Sequence, residues 1–267
     1  MTGASALQGA SAAGAAAAAP PRAVCEIDVV SDTVCPWCYV GMARLGKALA
    51  AFEGRLEARV RWLPFMLNPN APEEGEDKLA MYNQKFGAAR VAAIVPQMTR
   101  TFAEEGLPPY RVEGLTGATR NSHRLLLWAA EAHGLGAQGR LAEALFRGYF
   151  TEARFINDRA FLLEAVAAAG LPADDAARQV LDAPGAYEAQ LLEELARHPG
   201  VTGVPHFVVR LPGERRAVAR LGGAQPPEAF EEVFEAIVAA ARAAAPAGAA
   251  AAAPDGGAAC GRDGSGC

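Results

Sequence analysis

The tetrapeptide Cys35-Pro36-Trp37-Cys38 constrains this chain most, because it joins a short apolar run to a segment with helical periodicity. A cysteine at the entrance of a helix lies where unpaired backbone N–H groups and the helix dipole favour negative charge. Since the thiolate is the reactive form of cysteine, this position makes Cys35 a candidate nucleophile. Cys38 lies one turn further into the helix, where it can close a disulfide behind Cys35.

The segments on both sides of the tetrapeptide predict a strand–helix–strand unit. Residues 27–31 are mostly apolar, as in a central strand. Apolar residues then recur at helical spacing towards Gly54, a residue type that commonly ends helices. Residues 59–63 alternate polar with apolar side chains, which predicts a second strand. This order of elements is the unit from which parallel sheets are built.

The rest of the chain first turns helical and then returns to strands. Nearly every segment between residues 77 and 197 has helical periodicity, which predicts about four to six helices. Residues 206–210 and 216–221 are predicted to pair as a hairpin, and an amphipathic helix follows Pro226-Pro227. The predicted fold class is therefore α/β: a thioredoxin fold with a helical domain inserted between its βαβ and ββα halves.

The two ends of the chain differ in composition from the rest. Both are rich in Ala and Gly and cannot bury enough apolar surface to fold alone. The predicted units are a disordered Ala-rich extension (1–23), a thioredoxin-like domain (24–72 and 199–240), a helical insert domain (73–198) and a flexible cysteine-containing tail (241–267).

Charge and composition limit the classes of partner. A net charge of −5 leaves no basic surface for nucleic acid. No apolar run approaches the ~20 residues that a membrane span needs. The first 22 residues lack the basic start and apolar centre of a secretory signal. We therefore expect a cytoplasmic protein with no nucleic-acid or membrane partner. Import into an organelle is the alternative, because the N-terminal extension is as poor in acidic residues as a transit peptide.

Several segments match a known family in sequence order. The chain resembles the DsbA-like thioredoxin family and, more narrowly, its FrnE-type branch. The resemblance implies thiol–disulfide exchange with protein or small-molecule thiols and disulfides. We expect neither a bound cofactor nor a metal, and glutathione is a candidate co-substrate. The matching segments are residues 31–41, 62–69, 121–125, 145–150 and 200–207.

The tetrapeptide residues have separate expected roles. Cys35 would form a mixed disulfide with the substrate, and Cys38 would resolve it. Pro36 suits the first turn of a helix, where its missing N–H would be unpaired anyway. Trp37 adds an apolar surface for substrate beside the reactive sulfur. The alternative is half of a zinc site, but structural zinc usually needs four Cys or His ligands, and no second close pair lies in the folded region.

A second expected part of the site is the dipeptide Val204-Pro205. By resemblance, Pro205 would have a cis peptide bond and face the Cys35–Cys38 turn. The backbone of Val204 would then bind an extended substrate as an added strand. The alternative is a proline that only marks the start of a strand, where its missing N–H does no harm.

Two histidines have open interpretations. His123 either lines a cleft between the helical insert and the sheet, or belongs to a helix face that Asn121 and Ser122 cap. His206, beside the expected cis-proline, either modulates the Cys35 thiolate or only occupies a strand position.

The other cysteines lie away from the tetrapeptide. Cys260 and Cys267 are a candidate accessory redox pair, because tethering to the chain raises their effective concentration at the site. Adventitious metal binding and no role at all are the alternatives. Cys25 is expected to be an inert small residue.

Two other function classes remain open. Relatives of 2-hydroxychromene-2-carboxylate isomerase and of the kappa glutathione transferases share this fold, but typically have serine at the position of Cys35. A chaperone-like binding module is the second alternative. It would suppress aggregation even without Cys35 and Cys38.

Overall fold

A central sheet and a set of surrounding helices make up the residues that the structure, a computed structural model, describes: 22–183 and 185–244. The predicted extension and tail fall mainly on residues 1–21 and 245–267, outside this described part. The elements are β1 (Ala23–Ser31), α1 (Pro36–Ala51), β2 (Leu56–Pro64), β3 (Glu76–Asp77), α2 (Lys78–Phe86), α3 (Ala88–Glu105), β4 (Leu115–Thr116), α4 (Arg120–His133), α5 (Leu135–Thr151), α6 (Arg159–Ala168), α7 (Asp175–Asp182), α8 (Glu188–Ala196), β5 (His206–Arg210), β6 (Ala217–Gly222) and α9 (Pro227–Ala244).

The four-stranded sheet has the order β2-β1-β5-β6. β1 runs parallel to β2 and antiparallel to β5, which pairs in turn with β6. Ile27 and Val29 of β1 are fully buried, as expected for a central strand. Helix α9 packs on β1, and the ring of Phe230 lies 4.9 Å from that of Phe207 in β5. The predicted fold class is confirmed: the helices α2 to α8 interrupt a thioredoxin-like sheet between β2 and β5.

The interrupting segment contains more elements than the sequence predicted. It holds seven helices within the described residues, where four to six were expected, and a two-stranded ribbon formed by β3 and β4. Helices α7 and α8 have only 8 and 9 residues, and only Gly87 separates α2 from α3. Elements this short give too few repeats for periodicity to separate them.

Element boundaries also differ from the predictions. β1 begins at Ala23 and β2 at Leu56, because the two strands pair along nine residues each. Helix α1 ends at Ala51, and Gly54 lies in the following turn with a φ of +77°. Helix α9 reaches Ala244, beyond the boundary predicted at residue 240. No helix of the described part is long and apolar enough to cross a membrane.

One glutamine fastens the helical segment to the sheet edge. Trp62 in the edge strand β2 donates its N–H to the Gln138 Oε1 atom at 2.9 Å, and its carbonyl accepts from Gln138 Nε2 at 2.8 Å. Gln138 is buried, so the amide satisfies backbone groups that would otherwise lie unpaired on the edge strand. These two hydrogen bonds hold α5, and the helices packed on it, against the sheet.

The close approach of α1 to the start of β5 depends on Gly41. A Cβ atom at this position would lie 3.0 Å from Pro205 Cγ and 3.1 Å from Phe207 Cζ, inside normal carbon–carbon contact. Gly46, on the same helix, faces open space. The missing side chain at Gly41 therefore lets α1 lie directly against the loop that precedes β5.

We predict that Gly41→Val lowers the free energy of unfolding by about 1–3 kcal/mol, because the new side chain overpacks the contact with Pro205. Gly46→Val is the matched control and should change it by less than about 0.5 kcal/mol. Urea denaturation of both variants measures the difference. Equal effects at the two positions would show that the α1 contact is not tightly packed.

Candidate active site

The site is built where β1 ends and α1 begins. Cys35 is the residue before the first helical residue, with an extended backbone (φ −95°, ψ 112°), and Pro36 opens the helix. The Cys35 N–H donates to the Asp32 carbonyl at 3.0 Å, which closes the turn between the two elements. The first turn of α1 carries no acidic residue. The N-terminal end of the helix dipole therefore acts on the Cys35 sulfur without opposition from a carboxylate in that turn.

The two cysteine sulfurs differ in access. Cys35 is 5% exposed and lines a cleft, whereas Cys38 is fully buried behind it. Neither is paired in a disulfide. The Cys35 thiol donates to the Val204 carbonyl at a distance of 3.6 Å between sulfur and oxygen. A reagent entering the cleft therefore meets Cys35 first.

Burial holds the pKa of the Cys38 thiol well above its usual value. The hydrogen bond and the charge of Cys35 raise this pKa further, while the Ser31 side chain and the Asp32 backbone lower it. At neutral pH, Cys38 is thus held as a thiol in the reduced protein. The cleft-facing sulfur and the buried sulfur are chemically distinct.

The loop before β5 faces this turn. The Val204–Pro205 peptide bond is cis, Pro205 is buried against Gly41, and Val204 lines the cleft. The Val204 N–H has no hydrogen-bond partner among the described residues. The structure thus brings Cys35 and Cys38 together with Val204 and Pro205, a pair of residues far from them in sequence.

Asp32 is a site residue to which the sequence analysis gave no role. Its Oδ2 atom accepts the Leu67 N–H at 2.7 Å, which ties the segment after β2 to the turn before α1. Its Oδ1 atom is buried without a hydrogen-bond partner in the described part and lies 3.5 Å from His123 Nε2. Asp32 belongs to the matching segment 31–41, but nothing in that segment alone indicated this network.

His123 is buried beneath the cleft rather than on its surface. Its Nε2 atom lies 3.0 Å from the Phe65 carbonyl oxygen, and the residue is 2% exposed. The predicted capping by Asn121 and Ser122 is wrong, because α4 begins at Arg120 and Thr119 precedes it.

Ser122 instead links α4 to the turn before α1. Its hydroxyl donates to the Thr119 carbonyl at 2.7 Å and lies 2.8 Å from the Thr33 hydroxyl. Since the single Ser122 proton is used on Thr119, Thr33 is the donor of the second bond. This chain holds the turn against the helical segment.

His206 occupies a position in β5 opposite Val30 and Gly222. Burial lowers the pKa of its imidazole, and the charges of Arg220 and His198 lower it further. The residue does not line the cleft that contains Cys35.

The remaining cysteines are separate from this site. Cys25 lies inside β1, fully buried, and burial raises the pKa of its thiol to about 12, with a further contribution from Glu26. Cys260 and Cys267 lie outside the described residues. In the part that is described, no three His, Cys, Asp or Glu side chains are arranged to hold a metal ion.

The cleft beside Cys35 has a volume of about 900 Å³. One wall is formed by Cys35, Pro36, Trp37 and the loop at Gly203 and Val204, and the other by α2, α3 and the segment that follows α3. Tyr82 and Tyr110 lie in this second wall, with their hydroxyl oxygens 3.4 Å apart. The second wall was not predicted from the sequence, because its residues join the cleft only when the helices pack on the sheet.

Comparisons with known proteins agree with this architecture. The sequence profile of the DSBA-like thioredoxin domain matches residues 26–235. No curated protein matches the chain. Among solved structures, a probable DsbA oxidoreductase from Streptomyces coelicolor is 35% identical with a TM-score of 0.69, and the match covers 80% of this chain and 89% of that one.

Two more distant structures share the fold. The cytosolic disulfide reductase DsbM from Pseudomonas aeruginosa is 20% identical with a TM-score of 0.55, and the match covers 80% of this chain and 99% of that one. A 2-hydroxychromene-2-carboxylate isomerase is 15% identical with a TM-score of 0.53, and the match covers 82% and 97%. At these identities the likeness concerns the fold alone.

The family predicted from the matching segments is thereby confirmed, while its FrnE-type branch stays a prediction. Because the profile spans most of the chain and the Streptomyces structure is similar in both sequence and fold, this chain belongs to the DsbA-like thioredoxin domain family.

Proposed function

We propose that this protein is a thiol–disulfide oxidoreductase that exchanges disulfides through Cys35 and Cys38. The observation that carries the proposal is the pairing of an accessible and a buried sulfur at the start of α1: Cys35 lines the cleft, and Cys38 lies fully buried behind it. Family membership supports this class of chemistry.

The proposed reaction has two displacement steps. The Cys35 thiolate attacks one sulfur of a substrate disulfide, whose S–S bond breaks, and the first thiolate leaves and takes up a proton. The Cys38 thiolate then attacks the Cys35 sulfur, and the second substrate thiolate leaves. The substrate gains two electrons, the protein loses two, and a Cys35–Cys38 disulfide remains. Run in reverse, the same steps oxidise a dithiol.

The loop before β5 would position the substrate. Val204 offers a carbonyl that already accepts the Cys35 thiol and an N–H without a partner in the described part, which together suit an extended backbone in the cleft. Pro205 has no N–H, so it cannot donate to either sulfur. Trp37 is 38% exposed at the cleft rim and would cover the apolar part of the substrate next to Pro36.

The buried thiol suits the resolving role better than the attacking role. Because burial raises its pKa, Cys38 does not compete with Cys35 for an incoming disulfide. It has no evident use in an isomerase or transferase reaction, so the fold likeness to the isomerase does not lead us to propose that activity. Glutathione enters the proposal as a co-substrate that forms or resolves the mixed disulfide.

We predict that Cys35→Ser reduces exchange with glutathione disulfide to the uncatalysed rate, because the attacking sulfur is gone. Cys38→Ser should instead accumulate a mixed disulfide with one glutathione on Cys35, because the resolving sulfur is gone. Intact-mass and peptide mass spectrometry measure both outcomes.

Both variants are made in a Cys260→Ser/Cys267→Ser background, so that the tail cannot resolve the adduct. Cys25 is left in place, since at pH 8 a thiol with a pKa of about 12 is ionised in only roughly one molecule in ten thousand. Exchange that persists in Cys35→Ser, or an adduct on Cys38 in the parent protein, would contradict the assignment of roles.

The resolution step should also depend on pH. Below its raised pKa, the ionised fraction of Cys38 grows roughly tenfold per pH unit, and burial, the largest cause of the shift, persists in the mixed disulfide. We predict that the rate of the second glutathione release rises steeply from pH 6 to pH 8. Ser31→Ala should slow this step, because the Ser31 side chain lowers the Cys38 pKa.

Rapid-mixing measurements of both displacement steps test this prediction. The attack by Cys35, measured in Cys38→Ser, is the reference, because this step does not involve Cys38. A release rate that does not change with pH, or that Ser31→Ala leaves unaltered, would show that ionisation of Cys38 does not limit resolution.

A further inference from the structure

We propose, resting on the function above, that the cleft beside Cys35 takes a small disulfide or thiol with an apolar body and a carboxylate. The reacting sulfur lies at Cys35, and the carboxylate lies at Lys85 and Arg90. These two cations determine the specificity of the site, and the tetrapeptide carries out the chemistry.

The size of the cleft fits a small molecule. Its volume of about 900 Å³ falls within the roughly 300–1,000 Å³ that small-molecule sites enclose. It is a concave space lined by the turn that carries Cys35 and by residues of α2 and α3. It can therefore hold a compact molecule as well as the extended backbone that Val204 suits, whereas the flat face of a folded protein does not fit it.

The rim of the cleft is apolar and exposed. Trp37, Leu67 and Phe86 are 38%, 41% and 39% exposed, and all three line the cleft. Covering such side chains with an apolar ligand removes their surface from water, which favours binding. Further apolar side chains line the same cleft: Val34, Met81, Ile94 and Met98.

Two cations line the part of the cleft that α2 and α3 form. Lys85 is in the last turn of α2, and Arg90 is in the first turn of α3, on either side of Gly87. Neither forms an ion pair with another described residue. The first turn of α3 carries no acidic residue. The positive end of the α3 dipole meets the negative end of the α2 dipole at Gly87, so the two side chains supply the positive charge. We infer that an anionic group is favoured beside them.

The two carboxylates that line the cleft belong to other elements than these cations. Asp32 is buried in the turn that leads to Cys35, and Glu76 lies in β3 before α2, whereas Lys85 is in the last turn of that helix. Asp32 beside the sulfur and the cations on α2 and α3 would orient an anionic ligand with its carboxylate towards Lys85 and Arg90.

Tyr82 adds a hydroxyl to the wall that carries the cations. It lines the cleft together with Cys35, and Lys85 follows it by three residues on α2, somewhat less than one turn of about 5.4 Å. The Tyr82 hydroxyl accepts from Tyr110, which leaves its own proton available to a ligand. A ligand in this cleft can therefore contact Tyr82 and Lys85 on the same helix.

The test compares two aromatic disulfides on the full chain with Cys260→Ser and Cys267→Ser. Dithiobis(nitrobenzoate) carries carboxylates, and dithiodipyridine is neutral at pH 8. Rapid mixing gives the rate of attack by Cys35 on each. The rate with dithiobis(nitrobenzoate) divided by the rate with dithiodipyridine should fall roughly fivefold in Lys85→Gln/Arg90→Gln at low ionic strength, as expected for two exposed charges. Added salt should also lower this ratio in the parent protein, because it screens the two cations.

Arg100→Gln is the matched control, because Arg100 is exposed on the same helix α3 but does not line the cleft. It should leave the ratio unchanged. Phe86→Ser tests the apolar rim, and should slow attack on both aromatic disulfides more than attack on glutathione disulfide.

The outcomes separate the inference from the function on which it rests. A ratio that is unchanged in Lys85→Gln/Arg90→Gln, or that falls equally in Arg100→Gln, overturns the inference while exchange itself continues. Failure of Cys35 to react with any of the three disulfides overturns the proposed function, and the inference with it.

Discussion

The contact between α1 and the loop before β5 is the constraint on which the site depends. Gly41 lets the helix approach Pro205 so closely that a Cβ would not fit without displacement. This approach places the Val204 carbonyl 3.6 Å from the Cys35 sulfur. The same helix directs its N-terminus at that sulfur and buries Cys38 behind it. The position of the Cys35 sulfur beside Val204 thus depends on the packing of α1 against the loop before β5, and α1 itself determines the access of the two sulfurs.

The helical segment adds what the thioredoxin-like sheet lacks, a second wall. Gln138 holds α5 against the edge strand through hydrogen bonds to both backbone groups of Trp62. In the same helical segment, α2 and α3 line the cleft beside Cys35. The turn between β1 and α1 carries the two sulfurs. The helical segment supplies Phe86 of the apolar rim, two tyrosine hydroxyls and two cations. Most of the groups that we propose to select the substrate therefore lie on a different part of the chain from the sulfurs.

The sequence predicted the features that are local. The tetrapeptide after an apolar strand, the strand–helix–strand order and the final hairpin all depend on residues close together in the chain, where periodicity is informative. The site residues contributed by other segments could not be predicted. The role of Asp32 depends on its contacts with Leu67 and His123, and Tyr82 and Lys85 line the same cleft as Cys35 only because the helices pack on the sheet. The helix count failed because α7 and α8 are short and a single glycine separates α2 from α3.

The most direct test of the central claim is a redox titration of Cys35 and Cys38 against glutathione buffers, with Cys260 and Cys267 replaced by serine and the disulfide followed by mass spectrometry. The account predicts a reversible two-electron transition that links Cys35 to Cys38, and its midpoint gives the direction in which the protein drives its partners. A protein that forms no internal disulfide at any buffer ratio, or that holds glutathione on Cys35 without resolving it, would contradict the account.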